Sequence, residues 1–199
     1  MKIAFDEHIP PAMVKVFQDL AAERGFRRQL RNVEIVKAKD YSPQPGDADY
    51  IRKSDVPWIR RYRTNGGRVI VSGNTRMVSV PQELLALQNC GMVVFFFPSC
   101  WNNWQFPRKC AMLLAWIERI VAHARLSKPA MLYRIPESWS EDADFLVIRQ
   151  PTPLQLKGQH GPDVKAKAVA QQARVRKSKA AAKVPDLLDL MQPAKADAE

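Results

Sequence analysis

The feature that most restricts what this chain can fold into is an alternation: four times, a short apolar run is followed by a stretch with helical spacing. "KIAF" leads into "PPAMVKVFQDLAA", where Met13, Val14, Phe17, Leu20 and Ala21 recur at intervals of three and four behind a Pro pair suited to a first turn. "NVEIVKA" alternates as a second strand does, and the Pro, Gly and Asp of "DYSPQPGDADY" mark the loop after it. "SDVPWIRRYRTNGG" predicts a short helix, with Ser54 or Asp55 as N-cap, Pro57 in the first turn and Gly66-Gly67 as the stop. "RVIVS" and "MVVFFF" are continuous runs of the kind found in strands buried on both faces, and "VPQELLALQNCG" between them is helical. A long helix follows from about Gln105 to Leu126, with Phe106, Cys110, Leu113, Trp116 or Ile117, Ile120 and Ala124 along one side.

Short connections between alternating strands and helices imply a three-layer α/β/α sandwich around a central, mostly parallel sheet. "MLYRIP" and "DFLVIR" are expected to close it as a hairpin or edge strands near Arg149. A chain of 199 residues with 46% hydrophobic content supports one core rather than two, so residues 1–150 are expected to be the domain. No aromatic residue follows Phe145, and Lys157 to Lys183 holds eight Lys or Arg against the single acid Asp163. Residues 151–199 therefore read as a largely disordered basic tail, with a short amphipathic helix near 185–191 built on Leu187, Leu188, Leu190 and Met191.

The formal charge of +11 favours a polyanionic partner bound through phosphate contacts. Cys90, Cys100 and Cys110 are odd in number and lack Cys-x-x-Cys spacing, which argues against a zinc site or a disulfide framework. No apolar run approaches the length of a membrane span, and the opening residues lack a signal-peptide core, so no membrane association and a cytoplasmic location are expected. His8, His123 and His160 are scattered and form no catalytic set, and "VSGN" around Ser72 lacks the flanking glycines of a nucleophile elbow. Neither that loop nor Gly66-Gly67 has the spacing and lysine of a phosphate-binding loop.

In open parallel sheets functional groups gather where loops leave the C-terminal strand ends. Asp6 and Glu7 follow the first strand, Asp55 opens the second helix, and Asn74 follows "RVIVS". Clustered carboxylates repel one another, and a hard divalent cation such as Mg²⁺ or Mn²⁺ reverses that sign. Each position also has a structural reading: Asp6 as a turn acceptor, Asp55 as an N-cap, Arg76 as an ordinary surface arginine. Asp47 and Asp49 sit in a turn-rich loop and are reserve ligands only.

With "IAFDEHIPPAMVKVF", "SDVPWIRRYRTNGGRVIVSGNTRM" and "GMVVFFF" in this order, roughly the first 125 residues resemble the PIN-like nucleases, in particular the small proteins related to VapC-type toxins. The resemblance implies a Mg²⁺- or Mn²⁺-dependent endoribonuclease site of three or four acids. Asp6 matches the first acid and Asp55 the acid before the "W-I" helix. Where the family places a third Asp after its "Val-Ser-Gly" or "Val-Thr" strand end, this chain has Asn74, which keeps an oxygen and loses a charge. The implied activity is therefore weakened or silenced, with Asp6, Asp55 and Asn74 as catalytic and metal positions and Glu7 and Arg76 as accessory groups. RNA, a cognate antitoxin of a type II toxin–antitoxin pair and a homodimer are the implied partners. The competing readings are a non-catalytic RNA-binding or adaptor protein of the same fold and a DNA-processing nuclease.

Overall fold

A computed structural model of the chain describes residues 1–23, 25, 30 and 32–148. Arg149, the expected tail at 151–199 and its helix near 185–191 lie outside the described residues.

The expected alternation is present. β1 (Lys2–Phe5) leads to α1 (Pro11–Ala22) and β2 (Glu34–Lys37), then α2 (Val56–Thr64), β3 (Gly67–Ser72), α3 (Pro81–Asn89), β4 (Val93–Phe96), α4 (Phe106–Leu126), β5 (Leu132–Arg134) and β6 (Leu146–Val147). Each of α1 to α4 carries a proline at its first or second position, where a missing N–H costs nothing and the fixed φ already suits a helix. The sheet runs β2-β1-β3-β4-β5-β6; every neighbouring pair is parallel except β5 and β6, which close the edge as an antiparallel pair.

Strand alternation sorts the layers. Ile3, Phe5, Val69, Val71, Val93 and Phe95 face one side and join Met13, Val14 and Phe17 of α1 and Leu113, Trp116, Ile117 and Ile120 of α4 in one core. The intervening Ala4, Ile70, Val94 and Phe96 are equally buried and lie on the side of Ile59 and Tyr62 of α2 and Leu84 and Leu87 of α3. Tyr62 pins that layer, its hydroxyl 2.8 Å from both the Lys2 and the Val69 carbonyl oxygens. Its ring lies so close to Gly67 that a Cβ there would stand 2.5 Å from it, which explains a glycine at the start of β3. Phe95, Phe96 and Phe97 are fully buried, as a core strand requires, and each such ring contributes about 1.5–3 kcal/mol relative to exposure.

The strand order places the site. From β1 the chain moves outward through α1 to β2, then returns through α2 to β3 on the other side of β1. The loops after β1 and β3 thus part at a topological switch point, where a crevice opens at the C-terminal strand ends.

Candidate active site

Asp6 stands at that switch point, one residue past β1, and is only 6% exposed. Its N–H donates to the Val71 carbonyl (3.1 Å), continuing the ladder by one step. Its carboxylate is surrounded by donors. Oδ1 accepts the N–H groups of His8 (3.0 Å) and Gly73 (3.3 Å), and Oδ2 accepts the Ser72 hydroxyl. The His8 imidazole Nδ1 lies 3.5 Å from the same Oδ2. That hydrogen bond, with the charges of Asp6, Asp55 and Glu7 behind it, makes His8 more basic than an ordinary histidine. The turn role of Asp6 is therefore real through His8, but the bonds to Ser72 and Gly73 tie it across to the loop after β3.

Asp55 stands at the N-cap position of α2, but its side chain accepts no capping bond. Its backbone is already helical (φ −81°, ψ −12°), and the Ser54 hydroxyl accepts the Val56 N–H instead (3.3 Å). Its carboxylate accepts the indole N–H of Trp58 at 2.9 Å. Its N–H reaches Glu83 Oε1 of α3 (3.4 Å). Burial, followed by the negative charge of Asp6, pushes the Asp55 carboxyl above its ordinary value, with Trp58 and His8 opposing. Burial and then Asp55 do the same to Glu83. Carboxyls held high by desolvation and by each other mark a place short of positive charge.

Asn74 caps a 3-10 turn over Thr75–Val78, its Oδ1 accepting the Arg76 N–H at 3.1 Å. Its own N–H donates to the Ser72 hydroxyl (2.8 Å), which joins the Asn74 loop to Asp6. Asp6, Glu7, Asp55 and Asn74 line one cavity of about 30 Å³ together with His8, Ser42, Ala38 and Trp58. That volume holds roughly one or two waters, or a small ion and a water. Exposed Arg76 stands outside the lining, beside Asn74 in the chain. Asp47 and Asp49 are engaged elsewhere, both paired with Arg61; the Gln44 N–H and then Arg61 hold the Asp47 carboxyl below the ordinary range, and Arg61 does so for Asp49.

The segment after β4 walls the site. Trp101 stacks on Phe97 (3.8 Å between ring centroids), and its indole N–H donates to the His8 carbonyl at 3.4 Å. A Cβ at Gly73 would stand 2.9 Å from both Trp101 and the His8 Cβ, so only glycine lets these groups meet. Sequence reasoning left out His8, Ser72, Trp58 and Glu83. Ser72 is no nucleophile elbow here either; it serves Asp6 as a hydrogen-bond donor.

A mostly parallel α/β sheet with an acid-lined cavity at its switch point is the class that this fold and site define. Residues 1–99 match the family model of the PIN like domain, and the chain is a PIN-like domain protein. No curated protein and no solved structure matches it. PIN-like domains are generally nucleases and usually use divalent metal ions. The matched span contains Asp6, Glu7, Asp55, Asn74 and Arg76.

Among the described residues no group of three or more His, Cys, Asp or Glu side chains is arranged to hold a metal ion. The hard oxygens of Asp6 and Asp55 nonetheless suit Mg²⁺ or Mn²⁺, which bind through one or two carboxylates and keep several waters. Glu7 adds a third carboxylate to the lining, and the Asn74 amide oxygen beside them is neutral and already engaged in capping. These hard oxygen donors are of the chemical type that a divalent cation takes.

Among the described residues no helix is long and apolar enough to cross a membrane.

Proposed function

We propose that this chain is a PIN-like endoribonuclease whose activity is reduced by Asn74 in the third acidic position. The observation that carries this reading is the convergence of Asp6 and Asp55 on one cavity with Asn74, at the switch point of a sheet whose matched family is generally nucleolytic. Mg²⁺ or Mn²⁺ held by Asp6 and Asp55, with Asn74 Oδ1 as a neutral third oxygen, would activate water and neutralise charge developing on a phosphate. Ser72, Gly73 and the His8 N–H hold the Asp6 carboxylate in one orientation, and Trp58 does the same for Asp55. Arg76 on the rim positions an RNA phosphate, and Glu7 is the accessory acid.

The VapC likeness extends the reading to a cytoplasmic toxin, homodimeric and held by a cognate antitoxin; growth arrest on expression of the Asn74→Asp chain is its test. The nuclease reading itself is tested by Mn²⁺-dependent, chelator-sensitive cleavage of RNA. Binding that survives chelator without any cleavage supports the adaptor alternative instead.

A further inference from the structure

A second cavity adjoins the acid site. It measures about 260 Å³, lies between α1 and the C-terminal ends of β1 and β2, and shares Asp6 and Glu7 with the smaller one. Phe5, Ile9, Pro11 and Val14 give it an apolar floor, and Lys37 and Lys39 stand at its edge. Parallel register sets Lys37 beside Phe5, and Phe5 packs on Phe17 of α1, so the strand delivers this cation to the α1 face. Ala38, between the two lysines, is buried and lines the acid cavity, which ties the lysines rigidly to it.

The charge arrangement is uneven. Lys2 pairs with Glu34 and Lys15 with Asp19, whereas neither Lys37 nor Lys39 has an ion pair among the described residues. Two unpaired cations beside an apolar hollow, one wall away from a phosphodiester-cleaving centre, form a mixed surface suited to a nucleotide: an apolar bed for the base and point charges for the phosphate. Burying either half alone is poorly matched. An apolar ligand would strand the lysines, and a free phosphate would leave the floor uncovered.

We propose that this cavity is a nucleotide subsite: it takes one unstacked base of an RNA strand on Phe5, Ile9, Pro11 and Val14, with the adjoining phosphate on Lys37 and Lys39. The proposal rests on the nuclease reading and names where the strand runs as it leaves the acid site. The ~260 Å³ volume has room for an unstacked base, the form in which single-stranded RNA rather than duplex presents it.

The test is binding of a short fluorescein-labelled oligouridylate to the full chain in EDTA, followed by anisotropy over a range of salt. Lys37→Gln/Lys39→Gln is compared with Lys128→Gln, an exposed lysine just before β5, and with Pro11→Trp, which fills the cavity mouth from an exposed position. The basic C-terminal segment is common to all, so differences between variants report the cavity. The double variant is expected to bind about tenfold more weakly, with the slope of log K against log salt reduced by about 1.4, two contacts at ~0.7 each. Pro11→Trp is expected to weaken binding without changing the slope, and Lys128→Gln to change neither. Parental affinity in the double variant, or in a Pro11→Trp chain with unchanged circular dichroism, overturns the subsite. Because the assay contains no metal, it reads the subsite independently of whether the acid site cleaves anything.

Discussion

The Ser72 hydroxyl donates to the Asp6 carboxylate while accepting the Asn74 N–H, so a single side chain ties Asp6 to the loop at Asn74. Removing it leaves Asp6 Oδ2 with only the His8 imidazole at 3.5 Å and takes the acceptor of the Asn74 N–H. Ser72→Ala is expected to cost about 2 kcal/mol, because a hydrogen bond to a charged group contributes roughly 1.5–3. Urea titration should show a lower midpoint at unchanged slope. A loss below about 0.5 kcal/mol would mean that the tie is dispensable.

Glu83 supplies a pH dependence with a definite sign. Its folded carboxyl titrates above the ordinary 4.5, chiefly because it is buried. Below that value both folded and unfolded chains carry the proton and no stability is at stake. As pH rises, the unfolded chain ionises first, and stability is lost until the folded pKa is passed. Glu83→Gln keeps an oxygen for the Asp55 N–H and removes the titration, so its midpoint relative to the parent should rise between pH 4 and pH 7. A difference that stays constant across that range contradicts the assignment.

Gly73 is irreplaceable for reasons of space. Gly73→Ala drives a methyl to 2.9 Å from both Trp101 and the His8 Cβ, and overpacking of this kind costs about 1–3 kcal/mol. Denaturation should show that loss, and the displaced Trp101 should alter the near-ultraviolet circular dichroism. An unchanged spectrum and midpoint would show that the wall yields freely.

Much of this was legible in the chain. Continuous apolar runs and proline-opened amphipathic stretches are local signals, so β1, β3, β4 and all of α1 to α4 follow from them. The switch-point rule then brings Asp6, Asp55 and Asn74 to one edge. What local patterns do not carry is partnership across the sequence. Ser72 meets Asp6 from 66 residues away, and Glu83 meets Asp55 from 28. Glu83 looks like an ordinary acid in the first turn of a helix. Asp55 holds the N-cap position as expected, but Ser54, one residue earlier, takes the side-chain bond to the Val56 N–H and leaves the Asp55 carboxylate to Trp58.

Asp6 is a structural acceptor and, on the proposed function, a ligand position, which shapes how it is tested. Asp6→Ala would orphan the His8 and Gly73 N–H groups and the Ser72 hydroxyl, mixing folding with binding. Asp6→Asn retains an acceptor and removes the charge. Calorimetric titration with Mn²⁺ should show affinity lower by at least about 10-fold, with circular dichroism unchanged. Parental Mn²⁺ affinity in this variant would remove Asp6 from the ligand set.

The central claim is that Asp6, Asp55 and position 74 form one nuclease site lacking a charge. Asn74→Asp restores that charge in nearly the same shape and keeps an oxygen for the Arg76 N–H. The most direct measurement is cleavage of total cellular RNA by the parent and by Asn74→Asp, each with Mn²⁺ and with Mn²⁺ plus chelator. Cleavage at least about 10-fold faster in the Asp form, and abolished by chelator in both, is the expected result. An Asn74→Asp chain that is folded, binds RNA and cleaves nothing would contradict the claim.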